Sequence, residues 1–248
     1  MTGCVYLVGA GPGGVGLLTI RAQEVIRTAE VILYDQLPGE EIIGTLPESA
    51  ERIDCGKFGA SHTLEQNEIE ALMISRAREG KRVVRLKGGD PFLFGRGGEE
   101  LEALRAEGIR VELVPGVTSA IAVPGSVGIP LTHRNHASMV TVLTGHEDPT
   151  KPSSALDWEL LARGSGTIVI LMGVKNLPDI ADALLLHGKN PGTPVAIIER
   201  GLRPDRRVTI GPLAGIGKIA ADNRVRPPAV IVIGDVVRLY NGDDLSGC

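Results

Sequence analysis

Aromatic residues are scarce. Trp, Tyr and Phe together make up 3% of the 248 residues, so a ligand site walled by stacked rings is not the expectation. Cysteine is scarce too: Cys4, Cys55 and Cys248 form neither a CxxC pair nor a disulfide framework. That excludes a disulfide-stapled scaffold and makes a reducing, cytoplasmic setting the simplest reading. There is no excess of positive charge, with 26 Lys and Arg against 30 Asp and Glu and a net charge of −4. A general electrostatic footprint for nucleic acid is therefore absent, although a local basic pocket for an anionic small molecule remains open. Long hydrophobic runs are missing as well. The stretch 113–133 carries no Asp, Glu, Lys or Arg, but Pro115, Pro124 and Pro130, with Gly116, Gly125 and Gly128, interrupt any membrane-spanning helix. The first residues show no basic segment ahead of an apolar one, so no secretory signal is expected.

What the chain has is glycine, at 33 of 248 residues, nearly twice the usual share of about 7%. No Gly-X-Y period accompanies it, and the glycines fall at the ends of apolar runs, where chains turn and where backbone approaches ligands. Hydrophobic residues at 43% and charged residues at 23% suffice for a real core. The length fits one large domain or two smaller ones.

Apolar runs and helical periodicities alternate along the chain. Strands are expected at 4–8, 31–34, 81–86 and 109–114, with helical spacing from Leu17 to Ile26 and helices at 64–78 and 97–107. The rhythm then restarts, with strands at 139–143, 167–171, 194–198 and 229–233 and helices at 176–186 and 213–221. The pattern predicts an α/β fold of two lobes, each a mixed, mainly parallel sheet with flanking helices. The lobes are expected at 1–114 and 131–248, joined by the Pro- and Gly-rich segment 115–130, with a surface loop at 148–154.

The first glycine loop spells a dinucleotide fingerprint. Gly9, Gly11 and Gly14 satisfy GxGxxG after the first strand, and Asp35 closes the second strand at the place of a ribose-binding acid. Two residues oppose that reading: Pro12 removes an amide from a loop whose use would be to offer amides to phosphate, and Gly16 weakens the helical turn behind it. A plain strand-to-helix turn is the alternative. The second cluster, Lys87-Gly88-Gly89-Asp90-Pro91-Phe92-Leu93-Phe94-Gly95-Arg96-Gly97-Gly98-Glu99-Glu100, is more specific. Its glycines could let a ligand lie against bare backbone. Asp90, held extended by Pro91, could accept hydrogen bonds from a ribose or an ammonium group. A dehydrogenase has no evident use for this loop.

Taken in order, Gly9-Ala10-Gly11-Pro12-Gly13, Tyr34-Asp35, Gly56-Lys57, Leu86-Lys87-Gly88-Gly89-Asp90-Pro91, Pro115-Gly116-Val117-Thr118-Ser119-Ala120, Gly128-Ile129-Pro130-Leu131-Thr132-His133-Arg134 and Leu171-Met172-Gly173 resemble the tetrapyrrole methylase family, in its uroporphyrinogen-III-methylating branch. The resemblance runs over essentially the whole chain. It implies a two-lobed α/β homodimer that holds S-adenosylmethionine in the cleft between lobes, and methylation of uroporphyrinogen III at C2 and C7 to give precorrin-2. A sibling acting on a later precorrin is one alternative, and a nicotinamide-dependent oxidoreductase or a non-catalytic tetrapyrrole carrier are others.

By motif, the resemblance assigns cofactor contacts to Pro12, Gly88, Gly89, Asp90, Leu93, Thr118, Ser119, Met172, Gly201 and Ala229. It makes Asp35 and Lys57 the proton acceptor and donor. Such a pair suits the chemistry, because a pyrrole carbon that takes a methyl group must shed a proton nearby to restore conjugation. The substrate's ring of carboxylates calls for local cations in an acidic protein, and Arg96, Arg134, His62 and His133 are the candidates, with Lys57 beside them. His133 and His136 form an HxxH without a further ligand at useful spacing, so no metal site is expected. The chain departs from the family pattern at Gly14, where an aspartate is usual, at Phe58, where a base is usual, and over Pro124-Gly125-Ser126-Val127, where aromatics are common.

Overall fold

Short β-branched and leucine-rich segments form the first sheet of the computed structural model, which describes residues 3–56, 64–147 and 156–242. Strands β1 (Cys4–Gly9), β2 (Val31–Tyr34), β3 (Glu51–Asp54), β4 (Arg82–Lys87) and β5 (Arg110–Val114) lie in the order β3-β2-β4-β1-β5, and every pairing is parallel. Alternate side chains go to opposite faces. Val5, Leu7, Val31, Leu33 and Val83 pack with Ile69, Met73 and Ala77 of α3 (Gln66–Arg78) and Leu104 of α4 (Gly97–Ala106). Val8, Ile32, Val84 and Leu86 pack on the other face with Ala22, Val25 and Ile26 of α1 (Ile20–Arg27) and Ile42 of α2 (Glu40–Gly44). Thr19 caps α1 by accepting the Ala22 amide at 3.1 Å, and a Glu65/Glu68 capping box starts α3.

Adjacent strands β1 and β4 thus send their following helices to opposite faces of the sheet. This is the topology that places a binding crevice at the carboxyl ends of those strands.

The chain divides into two compact units, Met1–Thr118 and Ser119–Cys248. The second begins with α5 (Ser119–Ser126), which carries Pro124 within it and lies inside the stretch 115–130. Its sheet, β6 (Val140–Thr144), β7 (Thr167–Leu171), β8 (Pro194–Glu199), β9 (Arg207–Pro212) and β10 (Ala229–Ile233), has the order β6-β7-β10-β8-β9. Leu143, Ile168, Ile170, Val195, Ile197 and Ile231 form a core with α6 (Trp158–Arg163), α7 (Leu177–Leu186) and α8 (Ile216–Asp222).

Two α/β units with flanking helices agree with the sequence reading. The expectation of a mainly parallel sheet holds for the first unit, whereas in the second only β6–β7 is parallel. The reason is local: β8 and β9 form a hairpin, and β10 enters between β7 and β8 from the opposite end. Strand β3 is largely exposed, and β9 is mostly exposed or half-buried with Thr209 between Val208 and Ile210, so neither carries a clear apolar run. The predicted loop at 148–154 lies outside the described residues. Among the described residues no helix is long and apolar enough to cross a membrane.

Glycine makes the loop packing of the first unit possible. A Cβ on Gly116 would lie 2.2 Å from the Gly89 carbonyl oxygen and 2.7 Å from the Gly9 Cα, and one on Gly9 would lie 2.5 Å from Gly116. Gly98, on α4, faces open space. Gly116→Ala is therefore expected to lose about 1–3 kcal/mol of stability by overpacking, while Gly98→Ala gains about 0.5–1 kcal/mol from helix propensity. Urea-unfolding midpoints check both, and a wild-type midpoint for Gly116→Ala would contradict the close packing.

Candidate active site

The loops that follow β1, β4 and β5 meet at the carboxyl edge of the first sheet. Gly11 and Gly89 form an antiparallel bridge, with Gly11 N donating to Gly89 O at 3.1 Å and Gly89 N to Gly11 O at 2.7 Å. Asp90 Oδ1 accepts the Phe92 amide at 2.8 Å, and Oδ2 accepts the Gly116 amide at 3.0 Å. One carboxylate thus ties the β4 loop to itself and to the β5 loop. Each oxygen retains a lone pair for a further donor. Gly88 lies under Leu37, whose Cβ would be 2.5 Å from a Cβ at that position. At Gly9, Gly88 and Gly116 the absent side chain makes room for the protein's own chain, including at Gly88, in the cluster whose glycines suggested a ligand against bare backbone. Pro12, Leu93 and Thr118 are half-buried on the same three loops.

The dinucleotide fingerprint fails on this geometry. Val15–Leu17 is a 3₁₀ turn and α1 starts only at Ile20, so no α-helix N-terminus faces the Gly9–Gly14 loop to receive a pyrophosphate. The Gly11 amide is already spent on Gly89.

Asp35 ends β2. Its Oδ1 accepts the Leu37 amide at 2.9 Å, and its Oδ2 lies 3.8 Å from Arg85 Nη2. Arg85 and Lys87 on β4 are both buried, and both meet Glu100 of α4, a fully buried carboxylate. Arg85 Nε is 3.1 Å and Lys87 Nζ 2.9 Å from its Oε1, which also accepts Gln66 Nε2 at 3.2 Å. Burial, with Arg85 beside it, pulls the Lys87 ammonium below its usual pKa against the attraction of Glu100. Burial likewise pushes the Cys55 thiol up to about 11, so it is an inert group at neutral pH. Lys87 and Glu100 stand at the ends of the second glycine cluster, yet the sequence assigns no role to them or to Arg85. The available signal was Arg85 and Lys87 two residues apart, on one face of a strand that carries Val83, Val84 and Leu86 and is central in a parallel sheet. Lys57 and His62 lie outside the described residues.

Arg96 sits at φ 59°, exposed, and forks onto Glu99 with Nε at 3.1 and 3.0 Å and Nη2 at 2.5 Å. An exposed pair of this kind is worth little and exchanges readily for another carboxylate.

In the second unit, β10 runs antiparallel to its neighbours, which sets Ala229 opposite Glu199 and Val230 opposite Leu171. The sheet therefore gathers Met172 after β7, Gly201 after β8 and Ala229 at the start of β10 on one edge. Met172 (φ 57°), Arg200 (φ 47°) and Leu202 (φ 66°) all hold left-handed backbone there, and Met172 is 51% exposed. Non-glycine residues in that conformation concentrate at functional sites. A Cβ on Gly201 would collide with Val123 of α5 at 2.4 Å. Glu199 accepts Arg207 Nε and Nη2 at 2.7 and 2.8 Å and the Arg226 amide at 2.9 Å, which fixes the segment leading to Ala229. Ser119, half-buried, opens α5. His133 and Arg134 occupy a tight turn in which His133 Nδ1 accepts the Asn135 amide at 3.2 Å, leaving Nε2 as the donor. Arg134 is exposed and makes no ion pair among the described residues. No group of three or more His, Cys, Asp or Glu side chains fit to hold a metal ion occurs among them either.

These features define a two-unit α/β protein with a loop-built, backbone-rich site at one sheet edge and a strained strand edge in the other sheet. The family model for tetrapyrrole (corrin/porphyrin) methylases matches residues 4–217. A Methanosarcina barkeri protein described as an S-adenosyl-L-methionine-dependent uroporphyrinogen III methyltransferase is 60% identical over 247 residues, 99% of this chain and 97% of its own. Siroheme synthase 1 of Pectobacterium atrosepticum is 49% identical over 96% of this chain, which spans 49% of that protein. The crystal structure of a Thermus thermophilus uroporphyrin-III C-methyl transferase complexed with S-adenyl homocysteine aligns with a TM-score of 0.81 and 40% identity, covering 96% of this chain and all of that one. The chain belongs to the tetrapyrrole methylase family.

Asp90→Asn turns an amide N–H₂ toward one of two backbone N–H groups, so it is expected to cost about 1–3 kcal/mol of stability; a denaturant titration indistinguishable from wild type would contradict the tie. Burial alone would raise the Glu199 carboxyl, but Arg207 and the Arg226 amide outweigh it and hold the pKa below the usual range. The stability this contributes is present above the unfolded glutamate value of about 4.3 and is lost as pH falls through the lower folded value. Urea midpoints measured downward from pH 6 are expected to fall less steeply for Glu199→Gln than for wild type.

Proposed function

We propose that this chain transfers methyl groups from S-adenosylmethionine to C2 and C7 of uroporphyrinogen III, giving precorrin-2 by way of precorrin-1, a step toward siroheme and cobalamin. The observation that carries this reading is the 60% identity, over 97% of its length, to a relative described by that activity. The Thermus structure with S-adenyl homocysteine supports the same cofactor.

The residues present fit the cofactor. Asp90 is a fixed carboxylate with acceptor capacity left for a ribose hydroxyl or an ammonium group. The exposed, strained Met172 and the backbone at Gly201 and Ala229 suit a ligand held mainly by shape and main-chain groups. We assign Pro12, Gly88, Gly89, Asp90, Leu93 and Thr118 of the first unit, and Ser119, Met172, Gly201 and Ala229 of the second, to its binding. The three glycines, Gly88, Gly89 and Gly201, contribute through backbone alone, and at Gly88 and Gly201 the space for a side chain is filled by Leu37 and Val123.

S-adenosylmethionine supplies an electrophilic methyl group on a sulfonium. The chain must orient the macrocycle and take up the proton it sheds. Asp35, pinned by the Leu37 amide and faced by Arg85, is the acceptor we assign, with Lys57 as its proton-donating counterpart. Arg134, unpaired among the described residues, and Arg96, held only by an exposed glutamate, are the cations for the substrate's carboxylates. His133 through Nε2, and His62, add donors. A second copy of the chain as partner remains part of this reading.

Incubation with S-adenosylmethionine and anaerobically generated uroporphyrinogen III is expected to yield a dimethylated product that fluoresces after oxidation. Binding of S-adenosylhomocysteine without methyl transfer to this substrate would instead point to a sibling acting on a later precorrin.

A further inference from the structure

Glu100 is fully buried on α4, its Oε1 shared by Arg85 Nε, Lys87 Nζ and Gln66 Nε2, and its Oε2 without a hydrogen-bond partner among the described residues. The three nitrogens of Arg85 go three ways: Nε to Glu100 at 3.1 Å, Nη1 to the Leu86 carbonyl at 3.3 Å and Nη2 toward Asp35 at 3.8 Å. Because the guanidinium is planar and rigid, fixing its Nε edge fixes the direction of Nη2. No other charged side chain lies within ion-pair distance of Asp35 among the described residues.

A network of two buried cations and one buried anion, ending at the half-buried Asp35, is a poor way to stabilise a core, since apolar residues of similar volume do as well or better. Its use lies in orientation. The carboxyl face of α4 that carries Glu100 also carries Gly97 and Leu104, one helical face turned to the sheet, so the charge is placed there by the same spacing that buries the leucine.

We propose that Glu100 is a positioning residue for methyl transfer: it gathers Arg85 and Lys87 beneath the carboxyl edge of the first sheet and, through Arg85, holds Asp35 in the geometry needed to accept the substrate's proton. The inference rests on the methyltransferase reading above. With Glu100 neutralised, two buried cations face one anion, Arg85 loses its anchor, and the Asp35 carboxylate loses the partner that orients it.

The test is a double-mutant cycle in the full chain, with Asp35→Asn and Glu100→Gln made singly and together. Turnover of uroporphyrinogen III and S-adenosylhomocysteine affinity are both measured. Glu100→Gln is expected to lower kcat by about ten- to a hundredfold, the scale of a misplaced reacting group. S-adenosylhomocysteine affinity should stay within about twofold, and no further turnover should be lost in the Asp35→Asn background. Losses that multiply in the double variant would overturn the role, and so would an Asp35→Asn variant with wild-type kcat. Should Glu100→Gln fail to fold, Glu100→Asp keeps the charge on a shorter stem and enters the same cycle; its loss must also vanish beside Asp35→Asn, and a persistent loss overturns the inference. A wild-type chain without turnover removes the methyltransferase reading itself, which separates that failure from a failure at Glu100.

Discussion

The Asp90 carboxylate accepts one backbone amide on each oxygen, from Phe92 in its own loop and from Gly116 in the loop after β5. Around that pair of bonds the rest of the first unit's edge is arranged. Gly11 and Gly89 bridge the β1 and β4 loops, and Gly9, Gly89 and Gly116 approach so closely that any side chain on Gly9 or Gly116 would displace main chain. A carboxylate accepting two amides is a strong, charge-assisted anchor. It lets three loops from three strands hold one shape before any ligand arrives, which is the economy of a preorganised site.

The two units solve the problem of site geometry differently. The first uses glycine and a line of charges, half-buried Asp35 followed by the buried Arg85, Glu100 and Lys87, to bring polar groups to the end of a parallel sheet. The second uses an antiparallel insertion: β10 enters between β7 and β8, so the start of one strand stands beside the ends of two others. Left-handed backbone at Met172, Arg200 and Leu202 is stored there, and Glu199 with Arg207 braces it from behind. Strain at such positions persists only where the surroundings over-determine it.

Much of this was legible in the sequence. The apolar runs of β1, β2, β4, β7 and β10 and the periodicity of α3, α4 and α7 fall close to where spacing places them, because their burial is carried by contiguous hydrophobic residues. Strands β3 and β9 escaped because they are largely polar or exposed, and the direction of β10 is a property of topology that no local pattern encodes. At the site, the Gly88-Gly89-Asp90-Pro91 run stands out in the sequence, and its glycines serve contacts to residues remote in sequence, such as Gly116 and Leu37. Glu100 was hidden for a related reason: an acidic residue beside Glu99 near a helix start reads as solvated, and only the packed sheet shows it turned inward onto Arg85 and Lys87.

Amide hydrogen exchange at Phe92 and Gly116 in the ligand-free chain tests the preorganised edge most directly. Both N–H groups are expected to exchange slowly, near the rate of amides inside β4, and to exchange at loop rates once Asp90 is replaced by Ala. Rapid exchange of both amides in the wild-type chain, slowed only when S-adenosylhomocysteine is added, would contradict the account, since the loops would then be assembled by the ligand and not by the Asp90 carboxylate.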